Sequence, residues 1–341
     1  MKTKLLISLL LGLGCLWIVL RDVNWQEVTL SLANVNWTLL IFIFLTMPVT
    51  HFFRARRWGI LLKPLQRLSM KELFGINAVG FLAIHVFPFR LGEFSRPILL
   101  KKRHRLSLST GLAIVAIERV FDGLVTTLAL FIGLISLPVG HDEMPTLSIG
   151  IRSLALFALA IFLPCLGFLI LSVVQRKRAL LLIELFVRVL PPKLGQRVSQ
   201  IAENFFVGLL SLPNILSLFK IFVESLGVWG VMVLMHWIGF KALNLDLPWG
   251  SPFSVLGIAA MGVMLPGAPG FVGTYQLFVQ AALGLYGISK STGFAYSMVI
   301  YVVNLVYVGL AGLVFLPLMA TPMRVLYAEA KSKSDPDEKN I

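Results

Sequence analysis

Six ionisable side chains between residues 85 and 122 carry the chemistry this sequence could do. The stretch reads HVFPFRLGEFSRPILLKKRHRLSLSTGLAIVAIERVFD, and Arg90, Glu93, Arg96, Glu118, Arg119 and Asp122 interrupt a chain that is otherwise mostly apolar. Arg90, Glu93 and Arg96 follow i, i+3, i+6 spacing, which predicts one shared face of a helix. Two guanidiniums flanking a carboxylate can hold a phosphate, because the planar fork of arginine meets phosphate oxygens in pairs while the acid limits the net charge. In the competing reading both arginines snorkel to an aqueous interface and meet anions there without specificity.

Glu118, Arg119 and Asp122 form the second constellation. Glu118 and Asp122 share a helical face at i, i+4, and Arg119 lies three residues before Asp122. Two acids and one base do not cancel, so a cation from another element is required, and Arg90 and Arg96 are the candidates. The alternative is an ion network that only locks two segments together. A third feature is LPGAPGFVGTYQ at 265–276, with three glycines and two prolines in nine residues. Pro266, Gly270 and Gly273 can bring backbone close to a ligand, with freed N–H groups as donors, and Gln276 follows among polar neighbours. A plain loop between packed helices is the alternative. His85, His236, Lys220 and Glu224 are weaker signals. No serine elbow, phosphate-binding loop, HExxH or DxD pattern occurs, so hydrolysis and group transfer have no motif to rest on. Cys15 and Cys165 sit in apolar runs without ligand spacing, so neither a metal nor a cofactor is expected.

The elements that position these residues follow from composition. Of 341 residues, 57% are hydrophobic and 13% charged, with a mean hydropathy of +0.88; soluble domains carry about 25% charge. The sequence therefore reads as an all-α polytopic membrane protein. The net charge of +14 does not indicate nucleic acid, because the basic residues cluster beside apolar segments.

Crossing a hydrocarbon layer takes about 20 apolar residues, and short loops rich in Lys and Arg stay in the cytoplasm. On these rules 5–20 is an uncleaved first span leaving the cytoplasm, and 37–53 returns. The run RARRW that follows reads as a cytoplasmic anchor, with Trp58 in the interfacial aromatic belt. The piece 73–88 has basic clusters on both sides, so 73–100 is expected to be a re-entrant hairpin broken at Pro88, Gly92 and Pro97. Segments 109–137 and 153–174 cross next, and 179–218 reads as amphipathic helices on the cytoplasmic surface. Span 219–240, a second hairpin at 252–288 and span 292–319 complete the set, and 326–341 reads as a disordered cytoplasmic tail. The result is about six full spans and two hairpins, with both termini inside. Only Arg21, Arg152, Lys241 and Lys290 fall outside. Within an integral membrane domain of residues 1–325, the halves 37–137 and 219–320 then have inverted topology, with a Gly/Pro-broken segment at matching places. Paired broken segments of this kind mark transporter sites near the midplane. Glu118 would lie ~14 Å deep, where an ionised side chain costs at least ~2.5–3.5 kcal/mol unless compensated.

RARRW, FPFRLGEFSRP, ERVFD and LPGAPGFVGTYQ, in this order, resemble the lysylphosphatidylglycerol synthase transmembrane family, over about residues 5–320. The resemblance implies a multi-pass protein of the bacterial inner membrane that moves or accommodates a lipid between leaflets. Motif by motif it points to Arg90, Gly92, Glu93, Arg96, Glu118, Arg119 and Asp122. Members often place an acid after the final glycine-rich loop, where Gln276 stands here, which alters the charge balance of the second half. The synthases also carry a C-terminal aminoacyl-transfer domain; this sequence ends about 20 residues after its last span, so aminoacylation is not expected. The expected function is translocation of a phospholipid or related anionic lipid, with membrane lipids as partners and a homodimer compatible with the reading. Two alternatives stay open: a membrane enzyme acting on a lipid or polyprenyl-phosphate head group, with Glu118 or Asp122 as base, and a non-transporting scaffold.

Overall fold

The structure, a computed structural model, describes residues 2–136, 145–175, 177–179, 181–182, 185, 214–264, 268–319 and 325–329. These are helical, with no strand among them. Helix α1 is Lys2–Leu20, α2 Trp25–Ala33, α3 Trp37–Leu62, α4 Met70–Val86, α5 Ser95–His104, α6 Leu108–Ile135, α7 Pro145–Val174, α8 Ile215–Ala242, α9 Ser251–Met264, α10 Thr274–Gly284 and α11 Lys290–Leu318. Short polar side chains start many of them. Asn24, Asn36, Ser69, Ser107, Asn214 and Ser289 each accept from a backbone N–H one turn on, and Ser69 and Glu72 form a reciprocal pair. Each cap satisfies a donor that the helix leaves orphaned.

Among the described residues, four helices are long and apolar enough to cross a membrane: Trp37–Leu62, Leu156–Val174, Ile215–Ala242 and Lys290–Leu318. Helix α6 has 28 residues, but Glu118, Arg119 and Asp122 interrupt its middle. The sequence reading needs one large correction. The span expected at 37–53 continues unbroken to Leu62, so RARRW lies inside α3 and is not an interfacial anchor. The stretch after the first span holds α2, pinned to the start of α11. There Lys290 Nζ lies 2.5 Å from Asp22 Oδ2, Glu27 accepts from Ser289 and Thr292, and Ser291 Oγ accepts from the Asn24 amide. The amphipathic segment at 179–218 lies largely outside the described residues, and 215–218 belong to α8. The expected tail is helical at its start: residues 325–329 fold back so that Leu326 is buried, Tyr327 meets Phe87 and Glu329 pairs with Lys102 at 2.5 Å.

Each expected hairpin segment is a pair of helices joined by a turn, but Pro97 is not one of the breaks, because it lies near the start of α5. Helices α4 and α5 pack together across a 3-10 turn at Pro88–Phe94, and α9 and α10 pack together across a turn at Pro269–Phe271. The longest arm, α4, has 17 residues, ~25 Å at 1.5 Å per residue, so no arm reaches across ~30 Å of hydrocarbon. The two turns touch each other. Helix α3 packs on α8, α4 on α11, and α6 on α9. Exchanging the set α3, α4–α5, α6 for the set α8, α9–α10, α11 leaves these pairings unchanged.

Candidate functional site

The ion cluster is built from three elements. Arg57 of α3, Arg96 of α5 and Glu118 of α6 are all 0% exposed. Arg57 Nη1 donates to Asp122 Oδ1 at 2.6 Å and to Ser225 Oγ at 2.8 Å, while its Nη2 donates to Glu118 Oε1 at 2.5 Å. Arg96 Nη1 donates to Glu118 Oε2 at 2.7 Å and to Asn77 Oδ1 at 3.3 Å. Trp58 Nε1 reaches Glu118 Oε2 at 3.0 Å, and Trp229 Nε1 reaches Asp122 Oδ1 at 2.9 Å. Arg119 completes the set at 3.4 Å from Asp122 Oδ2 and 3.9 Å from Glu118 Oε1. Three guanidiniums and two carboxylates give this cluster a net charge of +1. Charge-assisted bonds of this density offset the desolvation that burial imposes.

In front of the cluster lies a cavity of about 190 Å³, bounded by α3, α4, α6, α8, α9, α10, α11 and both hairpin turns. Its ionised groups are Arg54, Arg90, Glu93, Arg119 and Asp122. Arg90 Nη2 lies 2.6 Å from Glu93 Oε1, and its Nη1 donates to the Val263 carbonyl near the end of α9 at 3.3 Å, tying one hairpin to the other. Arg54 stacks over Phe81 at 4.1 Å. The remaining wall is neutral and includes Trp229, His236, Phe271, Tyr275, Tyr301 and Asn304.

The expected residues thus divide. Arg90, Glu93, Arg119, Asp122 and Gly270 face the cavity. Arg96 and Glu118 lie behind it, within the ion cluster. The shared face expected for Arg90, Glu93 and Arg96 does not exist, because Phe89 and Arg90 adopt left-handed backbone (φ 51° and 58°) that breaks the helix. Arg90 consequently pairs with Glu93 and Arg96 with Glu118, so Arg96 alone of the two candidate cations meets α6. Gly92 permits a close approach: a Cβ there would stand 2.2 Å from the Ala83 carbonyl carbon and the Ile84 nitrogen. Gly273 has φ +84°, and a Cβ there would stand 2.4 Å from the Gly12 oxygen of α1. Gln276 is buried and accepts from the Gly273 amide at 2.8 Å, so it holds the turn and does not face the cavity. Pro266 lies outside the described residues. Among the described residues no group of three or more His, Cys, Asp or Glu side chains could hold a metal.

Sequence reasoning missed Arg54, Arg57 and Trp58 as site residues. Trp58 is wholly buried beneath Arg96, 4.8 Å from its guanidinium, and is not in an aromatic belt. One signal was present: a span of 37–53 falls short of the ~20 residues a crossing needs, and the next two turns carry Arg54 and Arg57 into the apolar region.

A family model described as Lysylphosphatidylglycerol synthase TM region matches residues 5–312, so the chain belongs to that family. Membership places it among integral membrane proteins related to lipid head-group handling. No curated protein matches the chain.

Proposed function

We propose that this member of the lysylphosphatidylglycerol synthase transmembrane family carries an anionic lipid head group across the bacterial inner membrane, through the cavity where its two hairpins meet. One observation carries the reading: a cavity at the junction of two half-length broken segments, with three arginines against two carboxylates on its wall. In the proposed topology both termini are cytoplasmic, and α3 to α6 and α8 to α11 are inverted halves. The interchangeable pairings of those helices support this, and so do the half-length arms. The phosphate meets Arg54, Arg90 and Arg119 while acyl chains remain in lipid. Glu93 and Asp122 hold Arg90 and Arg119 in place, and they keep the net charge low enough for the ligand to leave again.

The test is translocation of acyl-labelled phospholipids in proteoliposomes, with wild type beside Arg54→Gln and Arg119→Gln. Wild type is expected to move anionic lipid, and each variant, folded by its elution profile, to lose most of that activity. Equal rates for wild type, both variants and protein-free vesicles across anionic, zwitterionic and polyprenyl-phosphate lipids, with and without a proton gradient, would rule out transport.

A further inference from the structure

One buried acid belongs neither to the ion cluster nor to the cavity. Glu224 of α8 is 5% exposed, and its Oε1 lies 2.9 Å from Arg56 Nη2. Its Oε2 has no hydrogen-bond partner among the described residues. We infer that Arg56, Lys220 and Glu224 form a binding site, on the side of α3 and α8 turned away from the cavity, for a zwitterionic phospholipid with a primary ammonium, that is, a phosphoethanolamine head group. The site is separate from the cavity, so the inference stands or falls apart from the transport reading.

Four observations lead there. First, α3 has two faces. Met47, Thr50, His51 and Arg54 line the cavity. Leu45, Val49, Phe52 and Arg56, at i, i+4, i+7 and i+11, form a stripe on the other side, and each is about half exposed. From Leu45 to Arg56 is ~16 Å, close to half of a ~30 Å hydrocarbon layer. In the proposed topology the charged end of this stripe lies towards the cytoplasm and the apolar end towards the midplane, the order that a head group and its acyl chain require. Second, Lys220 is exposed one turn before Glu224 on α8, and it has no ion pair among the described residues. Third, snorkelling accounts for Arg56 and Lys220, but not for an acid beside them. Glu224 is ~14 Å along α8 from Ile215, a depth at which a carboxylate is costly unless paired, yet half of its acceptor capacity is unused. Fourth, the Arg56–Glu224 pair can exchange partners with a zwitterion. The phosphate takes the Arg56 guanidinium and the Lys220 ammonium, and the lipid ammonium takes the place of Arg56 on Glu224. The half-exposed Arg56 side chain has room to turn, and every charge keeps a counter-charge. An anionic head brings no cation and leaves Glu224 buried and unpaired. A choline head brings a cation with no N–H to donate.

The experiment uses full-length protein in detergent and phosphatidylethanolamine with a photoreactive acyl chain. Illumination is expected to label α3 between Leu45 and Arg56. Unlabelled phosphatidylethanolamine is expected to compete at about tenfold lower concentration than phosphatidylcholine or phosphatidylglycerol with the same chains, the effect of one charge-assisted hydrogen bond. Glu224→Gln keeps the shape and removes the charge, and it is expected to bring the three competitors within about twofold of one another. Arg56→Gln/Lys220→Gln is expected to lower labelling of this stretch by about tenfold or more, since both phosphate contacts are gone. Phosphatidylcholine or phosphatidylglycerol competing as well as phosphatidylethanolamine would overturn the inference. So would labelling that falls elsewhere on the protein, or a folded Glu224→Gln protein that keeps the wild-type preference. If a variant does not elute as a folded protein, the wild-type competition series decides alone.

Discussion

Charge arithmetic in the buried cluster ranks two substitutions that side-chain size alone would not. Arg57, Arg96 and Arg119 stand against Glu118 and Asp122, a balance of +1. Arg57→Met leaves two cations and two anions, a balance of zero. Arg96 still holds Glu118 at 2.7 Å and Arg119 still lies 3.4 Å from Asp122. Glu118→Gln keeps the shape but leaves three cations facing one anion, and Arg96 loses the only carboxylate within 4.0 Å of it among the described residues. Removing one partner of a buried pair costs ~3–5 kcal/mol. Arg57→Met is expected near the lower figure, ~3 kcal/mol, and Glu118→Gln near the upper, ~5 kcal/mol. The double variant returns the balance to +1, so its loss falls short of the sum by ~0.5–3 kcal/mol, the range for coupled neighbours. The assay is reversible unfolding of the purified protein in mixed micelles, with all four proteins under one condition. Either of two results refutes the reasoning: Glu118→Gln costing no more than Arg57→Met, or a double variant whose loss equals the sum of the singles.

Two further outcomes follow from local geometry. Gly92→Ala forces a methyl group against the backbone of Ala83 and Ile84, and overpacking of this kind costs ~1–3 kcal/mol or more; lower unfolding stability at unchanged helix content by circular dichroism checks it, and wild-type stability would contradict it. The anchor between α2 and α11 lies outside the spans and depends on acid. The Lys290 hydrogen bond holds the Asp22 carboxyl below its ordinary range, and the Ser289 hydroxyl does the same for Glu27. A depressed folded-state value means the contribution is present above the unfolded carboxylate range, around pH ~4, and is lost as pH falls through the folded values. The stability difference between wild type and Asp22→Asn/Glu27→Gln is therefore expected to be full at pH 6 and to shrink steadily as pH falls below the unfolded carboxylate range; a difference that stays constant or grows in acid would contradict it.

Helix existence and the two breaks were legible because hydropathy and proline act locally. Pro88 stands in the turn that follows α4 and Pro269 in the turn that precedes α10, and 20-residue apolar runs have few alternatives. The end of α3 was not legible. Basic residues after an apolar run normally mark an interface, and only acids brought from α6, about 60 residues away in sequence, make Arg57 tolerable at depth. The need for a further cation was visible in the imbalance of Glu118, Arg119 and Asp122. Its identity was not, since pairing across helices leaves no periodic trace. Arg90 misled for a different reason: i, i+3 spacing holds only on a helix, and left-handed backbone at Phe89 and Arg90 removes that condition.

Under the proposed function, the two meanings that sequence left open for these charges, an ion lock or a ligand site, fall on different layers of the molecule. Arg57, Arg96 and Glu118 form an inner layer with no access to the cavity, where every strong bond is made to a neighbouring helix. Arg119 and Asp122 form the outer layer. Each is bound on one side to the inner layer and exposed on the other to the cavity. Arginines facing a cavity in a membrane need a fixed counter-charge, or they turn away towards the interface; with too much counter-charge, an anion gains nothing by displacing water from them. A buried cluster balanced at +1 meets both conditions, since it fixes Arg119 while leaving the cavity wall a surplus of positive charge. The inner layer is thus a positioning device for the outer one. Transport activity of a folded Arg119→Gln protein would fall while its stability changed little, and changes to Glu118 would lower both together.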